Sequence, residues 1–173
     1  MDSYLDRLRQ ELEETMTICS PAGMDNGPAG KWTSAQVLEH LFLTYHNTNR
    51  GIAKCLEKGV PLGTRATLFH RLSALLVVNA GYFPKGRKSP ERAEPKGMPA
   101  DEVRRTILPE IERMDAGFAE CERRFGPRAR ILDHPTLGPF SVGQWRKFHW
   151  VHGRHHARQI RERISYGGGT GVS

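Results

Sequence analysis

The sequence predicts an all-α fold, a helical bundle, from three observations. Apolar residues recur at steps of three and four along most of the chain, two capping boxes mark helix starts, and no strand pattern appears at any length. Leu5, Leu8, Leu12 and Met16 predict a first helix over residues 3 to 18, ended by the Pro- and Gly-rich stretch PAGMDNGPAGK. Thr33 with Gln36 three residues on is a capping box that opens a second helix, running to Lys58 before the Gly59 stop. Val37, Leu41, Tyr45, Ile52 and Cys55 form its apolar stripe. Glu39 points away from that stripe and is expected in solvent.

A third helix, Thr64 to Ala80, carries Leu68, Leu72, Leu75 and Leu76 and becomes almost wholly apolar at its end. Phe83 to Pro99, with four prolines and five basic residues, reads as a loop. Asp101 is expected to cap a fourth helix, in which Val103, Ile107, Ile111, Met114, Phe118, Cys121 and Phe125 share one face, a spacing suited to a bundle seam. Pro109 inside it should kink the helix or mark its true first turn. GPRARILDHPTLGPF reads as a loop leading to the second capping box, Ser141 with Gln144, and the last helix runs to Tyr166. The chain is therefore expected to form one domain over residues 1 to 166, followed by a flexible Gly-rich tail at 167 to 173.

Composition excludes several classes. No apolar run approaches the roughly 20 residues of a membrane span, and the charged N-terminus lacks a signal-peptide core. Cys19, Cys55 and Cys121 are odd in number and widely spaced, which argues for a reducing compartment and a cytoplasmic location. The net charge of +7 raises nucleic-acid binding. The excess is spread along the chain, however, and no aromatics interleave with it as base-stacking platforms, so that role is not expected.

Eight histidines are present, and their placement is informative. The last helix reads FHWVHGRHHARQI. At about 100° per residue, with Trp145 at the centre of the inward face, His149, His152, His156 and Gln159 all turn inward. His155 lies nearer the flank, and Lys147, Arg154, Arg158 and Arg161 form the opposite, solvated face. His152 and His156, one turn apart, can both reach one metal ion. Two buried imidazoles with no ion would leave ring nitrogens to satisfy or place like charges together. Gly153 between them leaves room for a neighbour to approach. The best third ligand from another helix is His40, on the flank of the second helix's stripe. Three histidines leave an open coordination position, as in catalytic zinc sites. The competing reading is that each is a hydrogen-bonded core histidine. His149 can be a fourth ligand, a hydrogen-bonding support behind the ligands or plain core, and the second is favoured; His46, His70 and His134 lie off the inward faces or in loops.

The segments Trp32-Thr-Ser-Ala-Gln-Val-Leu-Glu-His40 and His152-Gly-Arg-His-His156-Ala-Arg-Gln159 resemble the two motifs of the DinB-like superfamily, and DHPTLGPFSVGQW resembles an uncharacterised branch of it. That resemblance implies a four-helix bundle with a long crossover connection, to which this chain adds an extra helix. It also implies a divalent ion, zinc or nickel, held by His40, His152 and His156. Members with known activity include transferases that use low-molecular-weight thiols, so the resemblance implies a small-molecule substrate, a thiol among the candidates. The expected function is a metal-dependent enzyme, a thiol S-transferase or a hydrolase. His149 and His155 are the residues within reach to act as general base. The alternative is a non-catalytic metal-binding or interaction module. A homodimer is compatible with such bundles, though no residue here specifies one.

Overall fold

The computed structural model describes residues 1–20, 22–79 and 89–166. The predicted tail at 167–173 and residues 80–88, which include Ala80 and the start of the predicted basic loop, lie outside the described residues.

Four long helices form the bundle: α1 (Ser3–Ile18), α2 (Ser34–Lys58), α4 (Ala100–Phe125) and α5 (Val142–Tyr166), with a short α3 (Leu68–Ala74) between α2 and α4. The long helices pack chiefly in a ring, α1 on α5 and α4, and α2 on α4 and α5. The periodic residues explain this. Leu5, Leu8 and Leu12 of α1, Val37, Leu41 and Tyr45 of α2, and Ile107, Ile111, Met114 and Phe118 of α4 are fully buried. Each such Leu or Ile stabilises the fold by about 1.5–3 kcal/mol relative to exposure.

Helix α2 begins as its residues dictate. Thr33 Oγ1 accepts from the Gln36 amide at 3.3 Å, and Gln36 Oε1 accepts from the Thr33 amide at 2.9 Å. The helix ends at Gly59, whose φ of 67° is the left-handed conformation a C-terminal glycine adopts readily. The same reciprocal pair, Ser141 with Gln144, opens α5.

The structure departs from expectation at several elements. The predicted loop before α5 contains an antiparallel hairpin, β1 (Arg130–His134) and β2 (Gly138–Ser141), so the fold is mostly rather than wholly helical. Leu62 and Gly63 donate their amides to the Ile131 and Arg130 carbonyls. At Gly63 any Cβ would lie 2.3 Å from the Arg130 carbonyl oxygen, which explains the glycine. The third helix is shorter than expected and continues as a π-helical turn, Leu75–Asn79. Helix α4 starts at Ala100 with Pro99 as its cap position and no side-chain cap, so Asp101 does not cap it. It also runs on through Pro109, which is neither its end nor its first turn. Arg161 is not simply solvated: it donates to Thr15 Oγ1 at 2.7 Å and pairs with Glu11, tying α5 to α1.

No described helix is long and apolar enough to cross a membrane.

Candidate metal centre

The register of α2 and α5 brings three histidines to one point. His40 Nε2 lies 3.4 Å from His152 Nε2, which lies 3.1 Å from His156 Nε2. The three are close enough to hold a metal ion, with one ligand atom from each within 4.8 Å of the others. Among the described residues, no fourth His, Cys, Asp or Glu joins this set. His40 is buried and His156 half-buried.

Hydrogen bonds behind two of the rings decide which nitrogen each of those presents. His40 Nδ1 lies 2.7 Å from the Ala93 carbonyl oxygen. A carbonyl only accepts, so the proton sits on Nδ1 and Nε2 carries a lone pair. His156 Nδ1 likewise meets Gln159 Oε1 at 2.9 Å, and the Gln159 amide group donates to His155 Nε2 at 3.0 Å. His152 Nε2 therefore faces two lone pairs and can donate a proton to only one of them. The remaining contact repels unless a cation lies between the rings. Ligand bonds of about 2.0–2.1 Å in a tetrahedron put neighbouring donors about 3.3 Å apart, close to the spacing here. Neutral imidazoles with oriented outer nitrogens are what a divalent ion requires.

Electrostatics act in the same direction. Burial, then the neighbouring imidazoles of His156 and His40, hold His152 well below the usual histidine range. Burial and then His40 push His156 down to about 3, and burial lowers His40 against the opposing effect of its Ala93 bond. All three are neutral at pH 7.

The surroundings are built to close tolerances. A Cβ at Gly153 would lie 2.2 Å from Leu8 Cδ1 and 2.9 Å from the Tyr45 hydroxyl, so the glycine lets α1 and α2 approach α5 between the two ligands. The Trp32 ring packs on His40 with centroids 5.2 Å apart, and Arg163 Nε donates to the Trp32 carbonyl.

Other expectations fare differently. His149 is fully buried, stacked on Trp145 and edge-on to Tyr45, and neither ring nitrogen has a hydrogen-bond partner among the described residues. It does not support the trio through a hydrogen bond. His155 is outside the trio: it reaches His156 through Gln159 by two hydrogen bonds, and its ring lies edge-on to that of His156 with centroids 5.2 Å apart. His134 is on β1 rather than in a loop, its ring against Phe140, Trp145 and Phe148. His46 meets Glu110 at 3.2 Å and His70 packs under Gly138, both away from the trio. All three cysteines are buried and free.

The clearest correction is Glu39. It is 1% exposed, and its carboxylate accepts from the amides of Lys96, at 2.6 Å, and Gly97, at 3.1 Å. Helical periodicity placed it outside the α2 stripe, and nothing local in the sequence announces a loop that folds back over that flank. The Ala93 carbonyl behind His40 was missed for the same reason.

The profile of a family described as "Protein of unknown function (DUF1569)" matches residues 5–163. The chain belongs to the DUF1569 family. The matched span takes in all three histidines and runs from α1 into the last turn of α5. Beyond the DUF1569 profile, no curated protein and no solved structure matches the chain.

Proposed function

We propose that this protein is a DinB-like metalloenzyme that binds zinc or nickel through His40, His152 and His156. The observation that carries the reading is the convergence of three Nε2 atoms, two of them with proton positions fixed by hydrogen bonds from behind. The order of the two motifs, Trp32 to His40 on the second helix and His152 to Gln159 on the last, supports the superfamily assignment. Three protein ligands leave a coordination position for substrate, the pattern of catalytic rather than structural sites. A divalent ion there supplies Lewis acidity that lowers the pKa of a thiol or water in that position.

The chain's own residues hold and orient. Ala93 and Gln159 fix the imidazole tautomers, and Gly153 allows the close approach of α1 and α2. Within the enzyme reading, a small-molecule thiol transferase is favoured over a hydrolase by the resemblance to thiol-using members. Free cysteines suit the reducing cytoplasm where such thiols are abundant.

The test is a turnover screen of the zinc- and nickel-loaded protein, with low-molecular-weight thiols against electrophilic acceptors and with hydrolysable esters and amides. Turnover lost in a folded His152→Ala variant is the expected result. Equal turnover in parent and variant rules out chemistry at this site, and metal binding with no turnover on any class favours a non-catalytic module.

A further inference from the structure

Successive residues of α2, Glu39 and His40, point about 100° apart, yet both grip the same segment, residues 89–97. His40 Nδ1 donates to the Ala93 carbonyl at 2.7 Å, with Ser89 Oγ at 3.3 Å. Glu39 takes the amides of Lys96 and Gly97, one on each carboxylate oxygen. Gly97 has a φ of 87°, a conformation that suits glycine and turns the two consecutive amides onto the carboxylate. Asn47, two turns along α2, donates to the Arg92 carbonyl at 2.9 Å. The short helical turn Glu91–Ala93 is thus pinned on both sides of Ala93, whose carbonyl orients His40.

Burying a carboxylate is costly, and among the described residues no Lys or Arg side chain forms an ion pair with Glu39. An apolar residue would stabilise this flank of α2 more simply. What the carboxylate does instead is fix two backbone amides in a segment that has few side chains of its own in the core.

We infer that Glu39 is a positioning residue for the metal centre: by anchoring residues 96 and 97 it fixes the Ala93 carbonyl, and through it the nitrogen that His40 presents. Asn47 is the second anchor. The inference rests on the metal reading of the trio for its effect on affinity, and on geometry alone for its effect on His40.

Two readouts test it, both at a temperature well below unfolding. In metal-free protein, nitrogen-15 spectra of the imidazoles should show His40 locked with its proton on Nδ1. In Glu39→Gln, where one amide loses its acceptor, the two tautomers should interchange. Zinc affinity, measured by competition with a chromogenic chelator, should fall roughly 10- to 100-fold in Glu39→Gln. In a His40→Ala background, whose residual affinity rests on His152 and His156, the same substitution should change nothing further. Should Glu39→Gln fail to fold, Asn47→Ala gives the same test with a smaller, several-fold loss.

A variant that keeps both the locked tautomer and parental affinity overturns the inference. So does an equal loss of affinity in the His40→Ala background, since Glu39 would then act by another route. A parent chain that takes up no zinc removes the metal reading alone, and the His40 tautomer then decides whether Glu39 positions that ring.

Discussion

Helices α3 and α5 invert one another. Helix α5 turns imidazoles inward, with His149 fully buried and His152 and His156 meeting His40 in the bundle. The α3 segment turns large apolar side chains outward: Leu68 is 74% exposed and Phe69 64%, with Leu72, Leu75 and Leu76 all above half. Only Val77 of its described side chains is buried. Transfer free energy alone would arrange both helices the other way, since burying a leucine stabilises and burying a polar imidazole costs. The contrast separates two sources of structure. The inward face of α5 carries imidazoles, two of which lie with His40 close enough to hold a metal ion. The α3 segment is carried by its neighbours and contributes little to the core.

The largest expected effect is acid sensitivity on the α5 side. Burial pushes His149 and His156 down to about 3, whereas both return to about 6.5 on unfolding. Between those values the unfolded chain binds more protons than the folded one. The stabilisation is therefore complete above pH 6.5 and is lost as pH falls toward 3, by several kcal/mol. Urea unfolding of metal-free protein at stepped pH should show the midpoint falling throughout that window, and a flat profile would break the comparison.

Gly153→Ala comes next. An alanine normally stabilises a helix interior by about 1 kcal/mol relative to glycine. Here its Cβ would collide with Leu8 and the Tyr45 hydroxyl, so the sign reverses to a loss of about 1–3 kcal/mol. Thermal unfolding reads the sign directly.

The smallest effect belongs to α3. Leu72→Ser should change stability by less than about 0.5 kcal/mol, because the side chain already sits largely in water. A loss above about 2 kcal/mol in the same urea assay would mean that α3 packs against something in solution and would remove the contrast.

What the sequence disclosed follows the same division. The bounds of α1 and α2 and the start of α5 were legible because periodic apolar residues and reciprocal caps are local signals. The trio was legible because two of its members sit one turn apart on the inward face of the last helix. The hairpin was not. β1 carries an irregularity between Arg130 and Leu132 and β2 contains Pro139, so neither shows the alternation of a regular strand. Its pairing with Leu62 and Gly63 is a long-range event. Glu39 was misplaced because periodicity identifies the face a helix turns to other helices, not the flank a connecting segment covers.

The central claim is that His40, His152 and His156 hold one divalent ion. The most direct measurement is zinc and nickel content of the purified protein by elemental analysis, before and after incubation with each metal, alongside His40→Ala, His152→Ala. About one equivalent in the parent and none in the folded double variant is the predicted result. No metal in the parent after loading, or an equal content in the variant, would contradict it and leave the three histidines as a polar core.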